Sequence, residues 1–293
     1  MVIARAVRQR RPAAPIGDFP APTSSDRLLV TAAHADDELL AAGGLMQRAR
    51  GAGADVWVVF ATNGDAGRWG VLRRAGRLRP RPADYIAGGE ARQREAFRAL
   101  ARVGVAPDRI VFLGYPDRGL MALAAERRGA RRPYISPFTK AWASPYALSY
   151  RPGAPYTSAD LQRDLEAIVA AVRPTVVITH HPADRHRDHR ALYALARLAV
   201  RRAGGDPPPA VYAYLVHAWT YPRPLRYAPG RPLLPPRSLR ARHRWLRFAL
   251  TPEELAVKEA AMREYRSQLD SPYLRILLTS FLRQNELFAA VDP

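Results

Sequence analysis

A chain of 293 residues, 48% hydrophobic and 25% charged, has ordinary globular composition and the length of one elaborated domain rather than two full ones. The absence of cysteine excludes disulfides, zinc ribbons and thiol nucleophiles. The net charge of +20 comes almost wholly from arginines scattered through every segment, with Lys140 and Lys258 the only lysines; scatter of this kind points to solvated arginines and away from a nucleic-acid surface.

In chain order, residues 1–25 are basic and proline-rich, without the continuous apolar core of a secretory signal, and are expected to form an irregular arm. No stretch is long and apolar enough to span a bilayer, so the default expectation is a cytoplasmic enzyme; a trimmed precursor with an export signal stays open. Residues 26–293 are expected to form a single α/β domain with its core in 26–218. The run 27–33 (RLLVTAA) predicts a first buried strand, and 36–50 a helix with Leu39, Leu40, Leu45 and Met46 on one side. Residues 55–62 (DVWVVFAT) predict the second strand, followed by a basic loop and a helix near 88–103 that turns Ala91, Ala96, Leu100 and Ala101 inward. Residues 109–114 predict the third strand.

Residues 115–157, rich in Pro, Tyr and Arg, are too long for a simple connection and predict an insertion that walls the site and selects the substrate. A capped helix over 157–172, a fourth strand at 175–181 (TVVITHH), a helix over 188–202 and a fifth strand at 210–218 continue the alternation. Around 250–290 the pattern turns helical. Thr251, Pro252, Glu253 and Glu254 make a strong helix start, and the closing run YLRILLTSFLRQNELFAAV predicts a second helix. The alternation as a whole predicts a Rossmann-like, doubly wound, mostly parallel sheet flanked by helices, with a long loop insertion and a C-terminal helical extension.

In the common strand order 3-2-1-4-5, the carboxyl ends of the first and fourth strands border the ligand crevice. The first strand ends in His34-Ala35-Asp36-Asp37-Glu38 and the fourth is followed by His186-Arg187-Asp188-His189. Either cluster alone is what helix capping by Asp36, Asp37 or Asp188 would produce. Two clusters converging on one crevice are instead what a catalytic metal needs: two histidines, one carboxylate and an open position. His34 and Asp37 are spaced to aim at one ion, His186 and His189 repeat that spacing, and Asp36 is free to act as a base on water.

These residues resemble the LmbE-like or PIG-L zinc-dependent de-N-acetylases, whose hallmarks are His-Pro-Asp-Asp-Glu after the first strand and a later His-Pro-Asp-His. Both prolines are replaced here, by Ala35 and Arg187, neither of them at a ligand position. ATNGDAG (61–67), RQRE (92–95) and FLGYPDRGL (112–120) extend the similarity, which covers most of 26–203; YLVHAW, YRSQL and NELF match more loosely. The resemblance implies that His34, Asp37 and His189 bind Zn²⁺, with Fe²⁺ or another divalent ion as the alternative. It implies that Asp36 is the general base and that His186 stabilises the oxyanion and protonates the leaving amine. Arg92 and Asp117 match positions that hold sugar hydroxyls, while Asp184 and Asp188 are placed to orient the two histidines. The implied substrate is a small N-acetylglucosamine derivative. Two rival readings stand beside it, a metal-dependent phosphoesterase and a basic nucleic-acid-binding protein with a vestigial site.

Overall fold

The computed structural model describes residues 15–125 and 132–291, so most of the expected arm and six residues of the expected insertion lie outside the described residues. Its strands are β1 (Gly17–Asp18), β2 (Arg27–Ala32), β3 (Asp55–Thr62), β4 (Ile110–Tyr115), β5 (Val176–His180), β6 (Ala210–Tyr214), β7 (Trp245–Ala249) and β8 (Asn285–Val291). The helices are α1 (Asp37–Gly51), α2 (Arg68–Ala75), α3 (Pro82–Arg102), α4 (Leu120–Ala125), α5 (Ser158–Val172), α6 (Arg187–Ala203), α7 (Arg237–Arg240), α8 (Pro252–Met262), α9 (Arg266–Leu269) and α10 (Pro272–Ser280). The strands form one sheet in the order β1-β7-β8-β6-β5-β2-β3-β4, parallel except where β8 runs antiparallel to β6 and β7.

The five expected strands are β2 to β6, and their spatial order is the anticipated 3-2-1-4-5. Apolar runs unbroken by polar alternation form these strands because both sheet faces are covered. Along β2, Leu28, Val30 and Ala32 join a core with α1, α3 and α8, whereas Leu29 and the following Ala33 join a second core with α4, α5 and α6. The carboxyl ends of β2 and β5 therefore lie side by side, with Leu28, Leu29 and Val30 registered on Val176, Val177 and Ile178.

Several local expectations need correction. The last stretch is split: α10 ends at Ser280 and residues 285–291 become β8. Its first five residues are all buried, and a short strand buried on both faces lacks the alternation that separates strand from helix. β7 was hidden in an arginine-rich run, and β1 ties the arm to it through pairing of Gly17 and Asp18 with Leu246 and Arg247. Ala101 is exposed, and the basic loop after β3 contains α2.

The C-terminal strands also grip α1. That helix breaks at Ala42 (φ −142°, ψ 21°), and the carboxylate of Glu286 on β8 accepts the Gly44 and Leu45 amides at 2.7 and 2.9 Å, so the second half of α1 has a new N-terminus with an anion on it. Glycine at position 44 lets Leu250 pack close to the helix, since a Cβ would sit 2.1 Å from Leu250 Cδ2 and force that side chain to move. Lys258 Nζ, fully buried, donates to Glu286 Oε1 at 2.7 Å and to the Leu40 carbonyl at 3.3 Å. Removing one partner of a buried pair strands the other charge, so Lys258→Met is expected to lower stability by about 3–5 kcal/mol. Urea denaturation reads this directly, and an unmoved midpoint would refute it.

Candidate active site

The loop that leaves β2 for α1 carries His34 to Glu38, and the loop from β5 to α6 carries His180 to His189. Where they meet, His34 Nδ1 lies 3.2 Å from Asp37 Oδ2, His189 Nε2 lies 3.2 Å from the same oxygen, and the two nitrogens are 3.3 Å apart. A tetrahedral zinc with donors near 2.0–2.1 Å has ligand-to-ligand edges of about 3.3 Å. Two neutral-capable imidazoles and one carboxylate at that spacing fit a divalent ion.

Electrostatics agree with the spacing. Burial pulls the His189 imidazole down, but the Asp37 and Asp184 carboxylates outweigh it and hold its pKa at about 9. Burial likewise opposes the charge on His34, whose pKa is nevertheless raised well above the usual range by Asp117, Asp188 and Asp37. Burial pushes Asp37 up, yet His189 and His180 beside it drive its pKa well below the ordinary carboxylate range. Five carboxylates (Asp36, Asp37, Asp117, Asp184 and Asp188), all buried, surround these imidazoles in a chain that is otherwise strongly basic. Positive charge is stabilised at the place where the three donors converge.

A second histidine pair is also close, but the hydrogen bonds discriminate. His180 Nε2 lies 3.5 Å from Asp37 Oδ2, yet it accepts the Ala33 amide at 2.9 Å, so its lone pair is spent. Burial pushes His180 well below the usual range, and its ring stacks on His189 at 3.8 Å, fixing that ring in place. Sequence reasoning passed over His180, although its position as the last residue of β5 was a usable signal.

Asp36 is the N-cap residue of α1, but its carboxylate makes no capping bond. Its φ of 137° lies in the region that L residues rarely adopt, a strain of about 1–3 kcal/mol that surrounding contacts must hold. They do: its amide donates to Glu38 Oε2 at 2.9 Å, and Arg92 Nη2 donates to the Ala35 carbonyl at 2.5 Å and to Asp36 Oδ2 at 3.2 Å. Glu38 is itself buried against the Tyr265 hydroxyl, and burial raises its pKa to about 8. Burial also pushes Asp36 up to about 7 against the opposing pull of Arg92, close to the value suited to a base at neutral pH.

Arg92 reaches this loop from α3 and also donates to the Gly64 carbonyl at 3.1 Å. Gly64 has φ +64° and a Cβ there would fall 2.2 Å from Arg92 Nη1, so glycine is what lets the guanidinium through. Asp117 lies with Oδ1 3.2 Å from His34 Nε2 and accepts the Ala66 amide through Oδ2 at 2.9 Å. Both residues line the cavity, and each bonds both to the loop that carries His34 and to the loop that follows β3. Asp184 Oδ2 sits 3.2 Å from His189 Nδ1 and accepts the Val216 and His217 amides, while Asp188 Oδ2 lies 3.5 Å from His34 Nε2 and accepts the Arg118 amide at 2.6 Å. Each carboxylate thus touches the far nitrogen of one imidazole, the placement that sets tautomer and ring orientation.

All of this opens into a cavity of about 610 Å³ lined by His34, Asp36, Asp37, Arg92, Asp117 and His186. His217, from the end of β6, lines it too and was not singled out from the sequence, although the carboxyl end of a parallel strand is where such a residue belongs. Of the expected insertion, Asp117 and Arg118 reach the cavity, whereas the exposed aromatics at its mouth, Trp69 and Tyr273, come from α2 and α10.

Behind Asp117, the Tyr146 hydroxyl donates to Asp65 Oδ2 at 2.5 Å. Burial and then the nearby Asp117 charge raise the Asp65 pKa to about 7 from an unperturbed 3.8. Below pH 4 both folded and unfolded chains hold this proton; between 4 and 7 the unfolded chain gives it up first, so folding stability falls as pH rises and levels off above 7. Asp65→Asn is therefore expected to melt several degrees above the parent at pH 8 and level with it near pH 4. A melting-temperature difference that does not change with pH would contradict this.

A family profile described as PIG-L, GlcNAc-PI de-N-acetylase, matches residues 29–200. The 1D-myo-inositol 2-acetamido-2-deoxy-alpha-D-glucopyranoside deacetylase of Rhodococcus erythropolis is 30% identical over 212 residues, covering 68% of this chain and 60% of that protein. The chain spans 46–60% of the length of the first curated relatives it matches. Among solved structures, N,N'-diacetylchitobiose deacetylase from Pyrococcus horikoshii aligns with a TM-score of 0.54 at 17% identity, over 92% of this chain and 86% of that one. The 4-carboxy-2-hydroxymuconate hydratase of Pseudomonas putida aligns with a TM-score of 0.52 at 18% identity, over 91% and 96%. At such identities the likeness speaks for the fold alone, and a hydratase standing beside a deacetylase leaves the reaction to be argued from the site.

Proposed function

The chain belongs to the PIG-L family, and from that premise we propose that it removes the acetyl group from an N-acetylglucosamine-type sugar derivative, using a divalent ion held by His34, Asp37 and His189. The observation that carries this reading is the triangle of donor atoms 3.2–3.3 Å apart with the Asp36 carboxylate beside it, free of any capping bond. Zinc is the first choice for two imidazoles and one carboxylate, with Fe²⁺ as the alternative. When bound, such an ion supplies Lewis acidity toward a carbonyl and makes water more acidic.

The remaining work falls to the protein. Asp36 draws a proton from water as its oxygen adds to the acetamide carbonyl carbon, and Arg92 keeps the carboxylate aimed. The carbon–nitrogen bond then breaks with its electron pair moving to nitrogen, and His186 supplies the proton that makes the amine a competent leaving group. Burial, and then positive charge on His34 and His189, lowers the His186 pKa to about 3, so its ring rests neutral and acts as a relay: the proton that Asp36 drew from water passes through His186 to the departing nitrogen. Asp36 and His186 return to their starting states, and the products are the free amine and acetic acid, which ionises to acetate in water. His34, Asp36, Asp37 and His186 share one cavity wall, so base and acid reach the same bound acetamide.

A two-metal phosphoesterase would need carboxylates free to bridge a second ion. Here Asp184 is engaged by three backbone amides, and Asp117 and Asp188 each accept one amide through a single oxygen, from Ala66 and Arg118, which favours a single-ion site around Asp37. Among the described residues no helix is long and apolar enough to cross a membrane. The test is acetate release from a panel of N-acetylated sugars, with metal content measured alongside. Metal-loaded protein that releases no acetate from any of them, but hydrolyses phosphate esters, would overturn the reading.

A further inference from the structure

A second cavity of about 440 Å³ adjoins the first, and the two share His186, His217, Tyr273 and Leu277 as common wall. Each volume is in the range that encloses a sizeable ligand, about 300–1,000 Å³. The second chamber holds none of the donor triangle and has no Asp or Glu in its lining, so it brings no metal ligand or carboxylate base of its own. The shared wall places it where a substituent of a molecule held at His34 and Asp37 would extend.

Its walls have a definite chemistry. Trp219 is 77% exposed and Tyr273 62%, large aromatic areas left in water at a cavity mouth. The Arg185 guanidinium lies 3.4 Å from the centre of the Trp219 ring, and no carboxylate among the described residues pairs with it. The turn that presents Trp219 is built rather than loose. Thr220 holds φ +54°, an outlier for a β-branched residue, and Arg223 Nε locks it by donating to the Thr220 carbonyl at 3.1 Å and to its hydroxyl at 2.9 Å. Trp219, Tyr273 and Leu225 fall outside residues 29–200, whereas Arg185 and His186 fall inside, so the family profile covers one edge of this chamber and not its aromatic wall.

Resting on the deacetylase reading above, we propose that the second chamber binds the group attached to the amino sugar and selects an aromatic group carrying an acid. Its ring packs against the open face of Trp219 and against Tyr273, while its carboxylate pairs with Arg185, whose planar fork suits that partner. Because the exposed Arg185 stacks directly on Trp219, the two contacts are coupled: removing the indole also loosens the guanidinium that pairs with the acid.

The experiment compares the methyl, phenyl and 4-carboxyphenyl glycosides of N-acetylglucosamine on the metal-loaded full chain. kcat/KM is expected to rise about tenfold from methyl to phenyl and again to carboxyphenyl, mostly through KM. Trp219→Ala should erase the first step and weaken the second, whereas Arg185→Gln should erase only the second. Equal efficiency on all three glycosides, or a loss in Trp219→Ala of the same size on each, would overturn the proposal. A second arm needs no turnover: calorimetric titration of the deacetylated 4-carboxyphenyl and methyl amino-glycosides into the metal-free chain. Tighter binding of the carboxyphenyl compound that disappears in Arg185→Gln supports the chamber even if no glycoside releases acetate, in which case the deacetylase reading alone has failed; equal binding of both amines overturns the chamber.

Discussion

Asp37→Ala is expected to lose bound metal and acetate release together, with turnover down on the order of a thousandfold or more, beyond the 10–100-fold that follows loss of an outer partner. Asp37 Oδ2 is the point shared by the donor triangle, 3.2 Å from both His34 Nδ1 and His189 Nε2, and it also accepts the His34 amide at 3.0 Å. Without it two imidazoles remain with no anion between them, and the carboxylates behind them favour protons on those rings over an ion shared by them. Metal content by mass spectrometry and acetate release by coupled assay decide the matter, with circular dichroism to confirm that α1 persists. Full metal stoichiometry in this variant would remove Asp37 from the ligand set.

Asp36→Asn separates the other acid from the ligands. Asn tolerates positive φ better than most residues, and its amide oxygen still accepts from Arg92, so the loop is expected to keep its shape. Metal content should match the parent while turnover drops about 10²–10⁴-fold, the usual worth of a positioned base. Unchanged turnover would exclude Asp36 as the base, and loss of metal would make it a ligand instead. The two neighbouring aspartates thus predict opposite results for metal content from substitutions one residue apart. That contrast follows from geometry: the Asp36 carboxylate pairs with Arg92 at 3.2 Å, whereas Asp37 Oδ2 is the oxygen shared by the donor triangle.

The sequence by itself determined the parallel sheet of β2 to β6 and the two His/Asp clusters at neighbouring strand ends. Apolar runs, turn chemistry and strand-end position are all local signals, and the crossover rules that order parallel strands need little more. The tertiary structure alone decided how the site's groups divide their work. His180 is withdrawn from the donor set by the Ala33 amide, Asp36 is freed from capping by a strained backbone, and Arg92 crosses from α3 over Gly64 to hold it. Each of these depends on a partner dozens to more than a hundred residues distant, which no periodicity records. The same holds for β8, whose burial on both faces hides its period, and for the aromatic chamber assembled from Arg185, the turn after β6 and α10. Local pattern specifies which elements form; only packing between them specifies which side-chain atoms are left free to do chemistry.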